Sequence, residues 1–280
     1  MQLPDDFYFS QSNLKDYLDC PRRFYLKHVQ RLPWPAVPQE PAQELEREAE
    51  RGARFHRLAQ QFFLGVPEER LAAGLDEQMR AWWEAFTRAA RPLRPLRPRV
   101  ETSLIGEVSG APLLAKYDLL LSEPGAAPRT AIYDWKTYRS LPRLAHIAGS
   151  LQTRVYRFVA AQVGLGAGEL PPEQIEMVYW FANFPDQPIR LPYSPAAYAQ
   201  DGLYLEGLTA DILRREAAEF ELTDRAAACK YCQYRSFCGR GTTAGVLDLD
   251  ANPDLEADLD GGPQLAQSDL NLDDLAEIAL

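Results

Sequence analysis

The stretch from Leu113 to Thr137 constrains this chain most. Two apolar runs, LLAKYDLLL and AIYDWKT, flank a segment rich in Ser, Pro and Gly. That pattern predicts two adjacent buried strands joined as a hairpin. Each strand carries one acid, Asp118 in the first and Asp134 in the second. Strand side chains alternate, so Asp134 and Lys136 share a face and Trp135 takes the other. Two carboxylates and an ammonium at one sheet edge make a place for a hard divalent cation, Mg²⁺ or Mn²⁺, whose preferred donors are carboxylate oxygens. Taken alone, an Asp-x-Lys triplet reads first as a structural ion pair. The rest of the chain bears on the choice.

Upstream, Ser10 or Ser12 can cap a helix carrying Leu14, Tyr17 and Leu18, which Cys20-Pro21 breaks. Arg22, Arg23 and Phe24 begin a further turn, with Pro accepted at its first position. Pro33 to Pro41 reads as a linker and Glu44 to Phe63 as a helix whose Gly52, His56 and Phe63 fall on one face. A histidine there is usually a satisfied core residue. Leu71 to Ala90 reads as one more helix. Arg91 to Arg99, RPLRPLRPR, cannot be helix interior; a solvated linker and a phosphate-contacting arm both fit. Strands are predicted at Val100–Ile105, Leu113–Leu121, Ile132–Lys136 and Ile175–Phe181, and helices at His146–Val163 and Tyr198–Phe220. Gln152 and Tyr156, four apart, share a helix face that either overlooks the Asp-x-Lys strand or packs.

Near the end, Cys229, Cys232 and Cys238 form C-x2-C-x5-C, interleaved with Lys230, Arg235 and Arg240. The one remaining cysteine is Cys20. Without a secretory leader or a membrane-length apolar run the chain reads as cytoplasmic, where such cysteines suggest metal rather than disulfides. A four-thiolate site tying the two ends together would hold either Zn²⁺ or an iron–sulfur cluster.

The net charge of −10 argues against nucleic acid only until it is placed. Residues 241–280 hold ten acids and no Lys or Arg, leaving 30 acids against 30 bases in the body. A neutral body can carry a basic groove. The sequence thus divides into a folded domain, 1–240, and an acidic tail, 241–280, expected to be disordered. Leu270, Leu272, Leu275, Ile278 and Leu280 in that tail suit either a short partner-binding helix or a frayed end.

Taken together, Cys20-Pro21-Arg22-Arg23-Phe24, Gly52 to His56, Asp118, Asp134-Trp135-Lys136, Gln152 to Tyr156 and the C-terminal cysteine triplet resemble, in order, the motifs of the PD-(D/E)XK nucleases. Within them the resemblance is to the RecB-like iron–sulfur exonucleases, including the CRISPR-associated iron–sulfur nuclease and the AddB nuclease domain. One departure is Ala115, where the family's GxxD motif has glycine. The resemblance implies an α/β restriction-endonuclease-like fold, a central mixed β-sheet flanked by helices. It implies a metal held by His56, Asp118, Asp134 and the backbone carbonyl of Trp135, with Lys136 polarising the attacking water and Gln152 and Tyr156 positioning the strand or Lys136. It further implies a 4Fe–4S cluster on Cys20, Cys229, Cys232 and Cys238 that joins the N- and C-terminal segments. Arg22, Arg23, Lys230, Arg235 and Arg240 around the cluster form a rim for DNA backbone or a solvated set of charges.

The function expected is a divalent-metal-dependent DNA exonuclease acting on single-stranded ends, in DNA repair or CRISPR adaptation, with a protein partner for the acidic tail. The competing reading is a non-catalytic four-cysteine module, zinc or iron–sulfur, that binds nucleic acid or serves as a scaffold.

Overall fold

A computed structural model of the chain describes residues 3–33, 40–123, 129–165, 168–230 and 232–241. The turn of the central hairpin and the acidic tail, with the terminal helix or frayed end considered there, lie outside them.

The fold begins with a two-residue strand β1 (Phe9–Ser10) and helix α1 (Gln11–Asp19). Ser10 Oγ accepts from Asn13 N, and the Asn13 side chain accepts from Ser10 N at 2.9 Å, a reciprocal cap that satisfies two orphan donors. Cys20 ends α1 in extended backbone, and Pro21 opens the short α2 (Pro21–Phe24), which runs into a π turn at Tyr25–Val29. Helix α3 spans Glu40–Phe63. The single helix expected over Leu71–Ala90 is instead two, α4 (Glu68–Leu71) and α5 (Glu77–Ala90). Gly74 at φ +70° turns the chain between them, and Asp76 caps α5 by accepting from Met79 N at 2.8 Å. The proline-spaced Arg segment winds as a 3₁₀ turn, Arg91–Leu96.

Strands β2 (Arg99–Val108) and β3 (Ala111–Glu123) form an antiparallel hairpin. Ser109 and Gly110 both have positive φ between them, as a two-residue type I′ turn requires. The predicted central hairpin is β3 with β4 (Arg129–Lys136), antiparallel. The predicted helix over His146–Val163 divides at Ser150, in extended backbone, into α6 (Leu144–Gly149) and α7 (Leu151–Val163). Then follow β5 (Ile175–Phe181), parallel to β4, β6 (Ile189–Pro192), antiparallel to β5, α8 (Pro195–Arg214) and α9 (Ala226–Cys229).

The mixed sheet runs β1-β3-β4-β5-β6, with β2 on the other edge of β3. Two apolar layers cover its faces. One holds Phe55, Phe62, Trp82, Trp83 and Phe86 of α3 and α5 against Leu119, Tyr133, Trp135 and Trp180. The other holds Val155 and Val159 of α7, Leu205 of α8 and Phe24 against Leu113, Tyr117, Ile132, Tyr179 and Phe181. Helices on both faces of a mixed sheet make this the α/β architecture expected. Along β4 and β5 the alternation is regular. Along β3 it slips at Asp118, for Tyr117 joins the second layer and Leu119 the first.

Candidate functional site

Asp134 and Lys136 lie on the α7 side of β4, because Trp135 between them is committed to the α3–α5 layer, stacked at 11° on Phe63. Both polar side chains are buried. Lys136 Nζ stands 2.7 Å from Asp134 Oδ2 and donates to Gln152 Oε1 at 2.9 Å; Gln152 Nε2 donates to Asp134 Oδ1 at 2.8 Å. The three close a ring in which each answers the others' polar groups. Tyr138 and Tyr179 present their ring faces to the ammonium at 5.6 and 5.7 Å. Gln152 reaches the ring because Ser150 stops the preceding helix and caps the next, accepting from Thr153 N at 3.2 Å.

Asp118 sits just beyond the point where β3 and β4 cease to pair, at Leu119↔Tyr133. Its Oδ2 accepts from Trp135 N at 2.7 Å, so a side chain takes a backbone donor past the end of the ladder. Its Oδ1 lies 3.1 Å from His56 Nδ1, delivered by α3. Close approach of that helix depends on Gly52, where an added Cβ would meet Thr137 Oγ1 at 3.2 Å. Burial would push His56 down, but the carboxylates of Asp118 and Asp134 outweigh it and lift the imidazole to about 9. Burial likewise raises Asp118, yet His56 and the Trp135 amide hold it below the usual carboxylate range.

A third acid joins them. His56, Glu101 and Asp118 each offer a ligand atom, and these atoms all lie within 4.8 Å of one another. Glu101 stands across from Asp118 where the β2–β3 register passes from Val100↔Leu119 to Thr102↔Tyr117, and its φ is +48°. A non-glycine residue in that conformation is strained, and such strain clusters at functional sites. Its Oε2 also meets Lys116 Nζ at 2.8 Å. The sequence reading missed Glu101, because nothing in RVETSL marks it until the strand pairing is known. An imidazole and two carboxylates are a donor set that Mn²⁺ or Mg²⁺ accepts. Asp134 is not in this close group, since Gln152 and Lys136 engage its two oxygens. Trp135 meets Asp118 through its N–H.

Tyr156 lies buried on the same side of the sheet as Gln152. Its ring is 4.9 Å from that of Tyr117, whose hydroxyl donates to Tyr156 O at 2.9 Å. Burial and the Asp134 charge push its phenol well above the ordinary value, so it stays a hydrogen-bond donor at neutral pH.

The four cysteines are free thiols. Among the described residues no three of their sulfurs fall within 4.8 Å of one another, so the expected four-thiolate centre is not gathered round one point. They do feel one another: burial raises Cys238, and Cys232, Cys20 and Cys229 add to it. Direct contacts join the N-terminal segment to the segment that follows α8. Phe220 stacks on Phe24 at 12° and on Tyr25 at 26°, Arg22 N donates to Glu221 O at 3.1 Å, and Tyr234 Oη donates to Leu32 O at 3.0 Å.

The expected basic rim is partly turned inward. Arg23 pairs with Asp16 at 2.8 Å and Asp19 at 2.6 Å, and buried Arg235 donates to the carbonyls of Lys230 and Gly241. Each spends its donors on acceptors within the protein and so leaves little of its charge for a phosphate. Lys230 and Arg240 are exposed, the latter donating to Thr223 O at 3.1 Å; Arg22 is half-buried. No described helix is long and apolar enough to cross a membrane.

Comparison with known proteins bears on the family and the fold. No curated protein matches the chain. Among solved structures, a protein from Eubacterium rectale named as a presumptive exonuclease is similar over 90% of this chain and 98% of its own, at 14% identity and TM-score 0.50. At that identity the likeness bears on the fold alone. Another, SSO0001, covers 85% of this chain and 89% of its own at 13% identity and TM-score 0.38. The profile of the PD-(D/E)XK nuclease superfamily matches residues 8–239, most of the length. The chain belongs to the PD-(D/E)XK nuclease superfamily.

Proposed function

We propose that this protein is a divalent-metal-dependent deoxyribonuclease, an exonuclease on single-stranded DNA ends that serves repair, recombination or CRISPR adaptation. One observation carries the reading. The His56–Glu101–Asp118 group and the Asp134–Lys136–Gln152 ring meet where β3 and β4 part, with Asp118 bonded into both the group and the Trp135 backbone.

Hydrolysis of a phosphodiester needs an activated water and relief of charge on phosphate, and a bound Mg²⁺ or Mn²⁺ supplies both. His56, Glu101 and Asp118 would hold the ion, with Asp134 and the Trp135 carbonyl as further oxygen donors. Lys136 places a cation beside the reacting phosphate and orients the water. Gln152 fixes Lys136 by accepting from Nζ, and the neutral phenol of Tyr156 offers a donor to the strand.

We further propose that Cys20, Cys229, Cys232 and Cys238 hold a 4Fe–4S cluster. The support is the chemistry of the donor set, four free thiols that act electrostatically on one another. Among the described residues no three of their sulfurs lie within 4.8 Å of one another, whereas a Zn–S bond of about 2.3 Å calls for ~3.8 Å between sulfurs. A brown protein with broad visible absorption is expected; a colourless one with bound zinc would reject the cluster.

The deciding experiment is degradation of end-labelled single- and double-stranded DNA with Mn²⁺, comparing wild type with Lys136→Ala and His56→Ala. Cutting by wild type and loss in both variants is expected. Equal activity in all three would end the assignment for this site.

A further inference from the structure

The chain carries four arginines in nine residues, Arg91, Arg94, Arg97 and Arg99, leading into the strand that bears Glu101. Their environments divide sharply. Arg91 forks onto Glu68 with contacts of 3.2 and 2.7 Å, and the Arg94 guanidinium lies 4.8 Å over the Phe62 ring. These two pin the segment to α4 and α3. Pro92, Pro95 and Pro98 remove most of its remaining backbone freedom. Arg97 and Arg99 are different. Both are exposed, and neither side chain makes a hydrogen bond or ion pair with any described residue.

Their position is as informative as their freedom. Arg97 closes the 3₁₀ turn at φ +53°, which reverses the chain into β2. Arg99 opens β2, two residues before Glu101, or about 7 Å along a strand. One guanidinium at the end of the 3₁₀ turn and one at the start of β2, neither paired with a described residue, thus stand just ahead of the carboxylate of the metal group. Guanidinium forks suit phosphate oxygens, and such contacts fix a strand's path without reading its sequence.

We infer that Arg97 and Arg99 form a phosphate clamp that holds the backbone of the nucleic-acid strand entering the Glu101 end of the site. The inference rests on the nuclease reading and deepens it by assigning the strand's approach to the edge formed by β2.

The test measures binding of a fluorescent oligothymidylate to the full chain in chelator, so that nothing is cut, across a salt series. Each phosphate contact on a single strand contributes a slope of about 0.7 in log K against log salt. The double variant R97S/R99S should lower the slope by about 1.4 and weaken binding several-fold at low salt. R97K/R99K should keep the wild-type slope, because charge is retained. R91S serves as the comparison, expected to leave the slope unchanged. In turnover with Mn²⁺, R97S/R99S should raise KM and leave kcat nearly alone. A wild-type slope in R97S/R99S overturns the clamp while wild-type cutting keeps the nuclease reading. Failure of wild type to bind any strand overturns both. Equal displacement by oligouridylate keeps the clamp and widens its strand to RNA.

Discussion

Lys136 answers Asp134, Gln152 and two aromatic faces from a position only 4% exposed. Removing it strands the Asp134 carboxylate in a buried setting, which costs about 3 kcal/mol. Lys136→Ala and Asp134→Asn should therefore each abolish cutting, and the double variant should cut no worse than either single, because the two act as one unit. Denaturant melts should show the double variant to be less destabilised than the sum of the singles. Asp16 is a second buried acid, ringed by Arg23 at 2.8 Å, Lys27 at 2.9 Å and His28 at 2.8 Å. Burial raises its pKa, but His28, Arg23 and Lys27 outweigh that and hold it well below the usual carboxylate range. Its ionised form is thus favoured by folding. That stability is fully present above the unfolded value of about 4 and is lost as pH falls toward the lower folded one. Asp16→Asn should cost about 3 kcal/mol at pH 7 and flatten the acid limb of a stability–pH curve.

Helix α7 matters through its first turn. Ser150 both ends α6 and caps α7, and Gln152 lies two residues on. Ser150→Ala should cost about 1 kcal/mol in a urea melt. It should also lower kcat, since Gln152 then holds Lys136 less firmly; an intact kcat with the same loss of stability would confine Ser150 to the fold. Much at this level was legible beforehand. The alternation that set Asp134 and Lys136 against Trp135 is a property of strands, and β4 is regular. Gly74 and Asp76 already stood in the sequence as a break and a cap, yet the apolar content of 71–90 hid them. Strand β1 was beyond reach, because two residues carry no period. Glu101 was beyond reach for another reason: its meaning lies in Asp118, seventeen positions on by sequence but directly across the hairpin.

Across the whole molecule, Phe220, just past the Ala217–Glu219 3₁₀ turn, ties the segment after α8 to the first helices. It is 1% exposed and packs on Tyr17, Phe24 and Tyr25. Phe220→Ala should cost about 3–4 kcal/mol. Limited proteolysis should then nick the segment from residue 221 onward well before the sheet, whereas an unchanged pattern would place the clamp elsewhere. From the four-cysteine spacing the expectation was a thiolate centre tying the two ends together, and the described cysteines are not gathered round one point. What joins those two segments among the described residues is aromatic stacking and backbone hydrogen bonding, which no cysteine count can reveal.

One carboxylate oxygen of Asp118 closes off the Trp135 amide while the other turns toward His56. Cargo arriving at that acid must tug on a proton belonging to the sheet. In an isotope-labelled sample the Trp135 amide resonance should shift when Mg²⁺ is titrated in, with no oligonucleotide present, so that one backbone proton would report whether that acid is occupied.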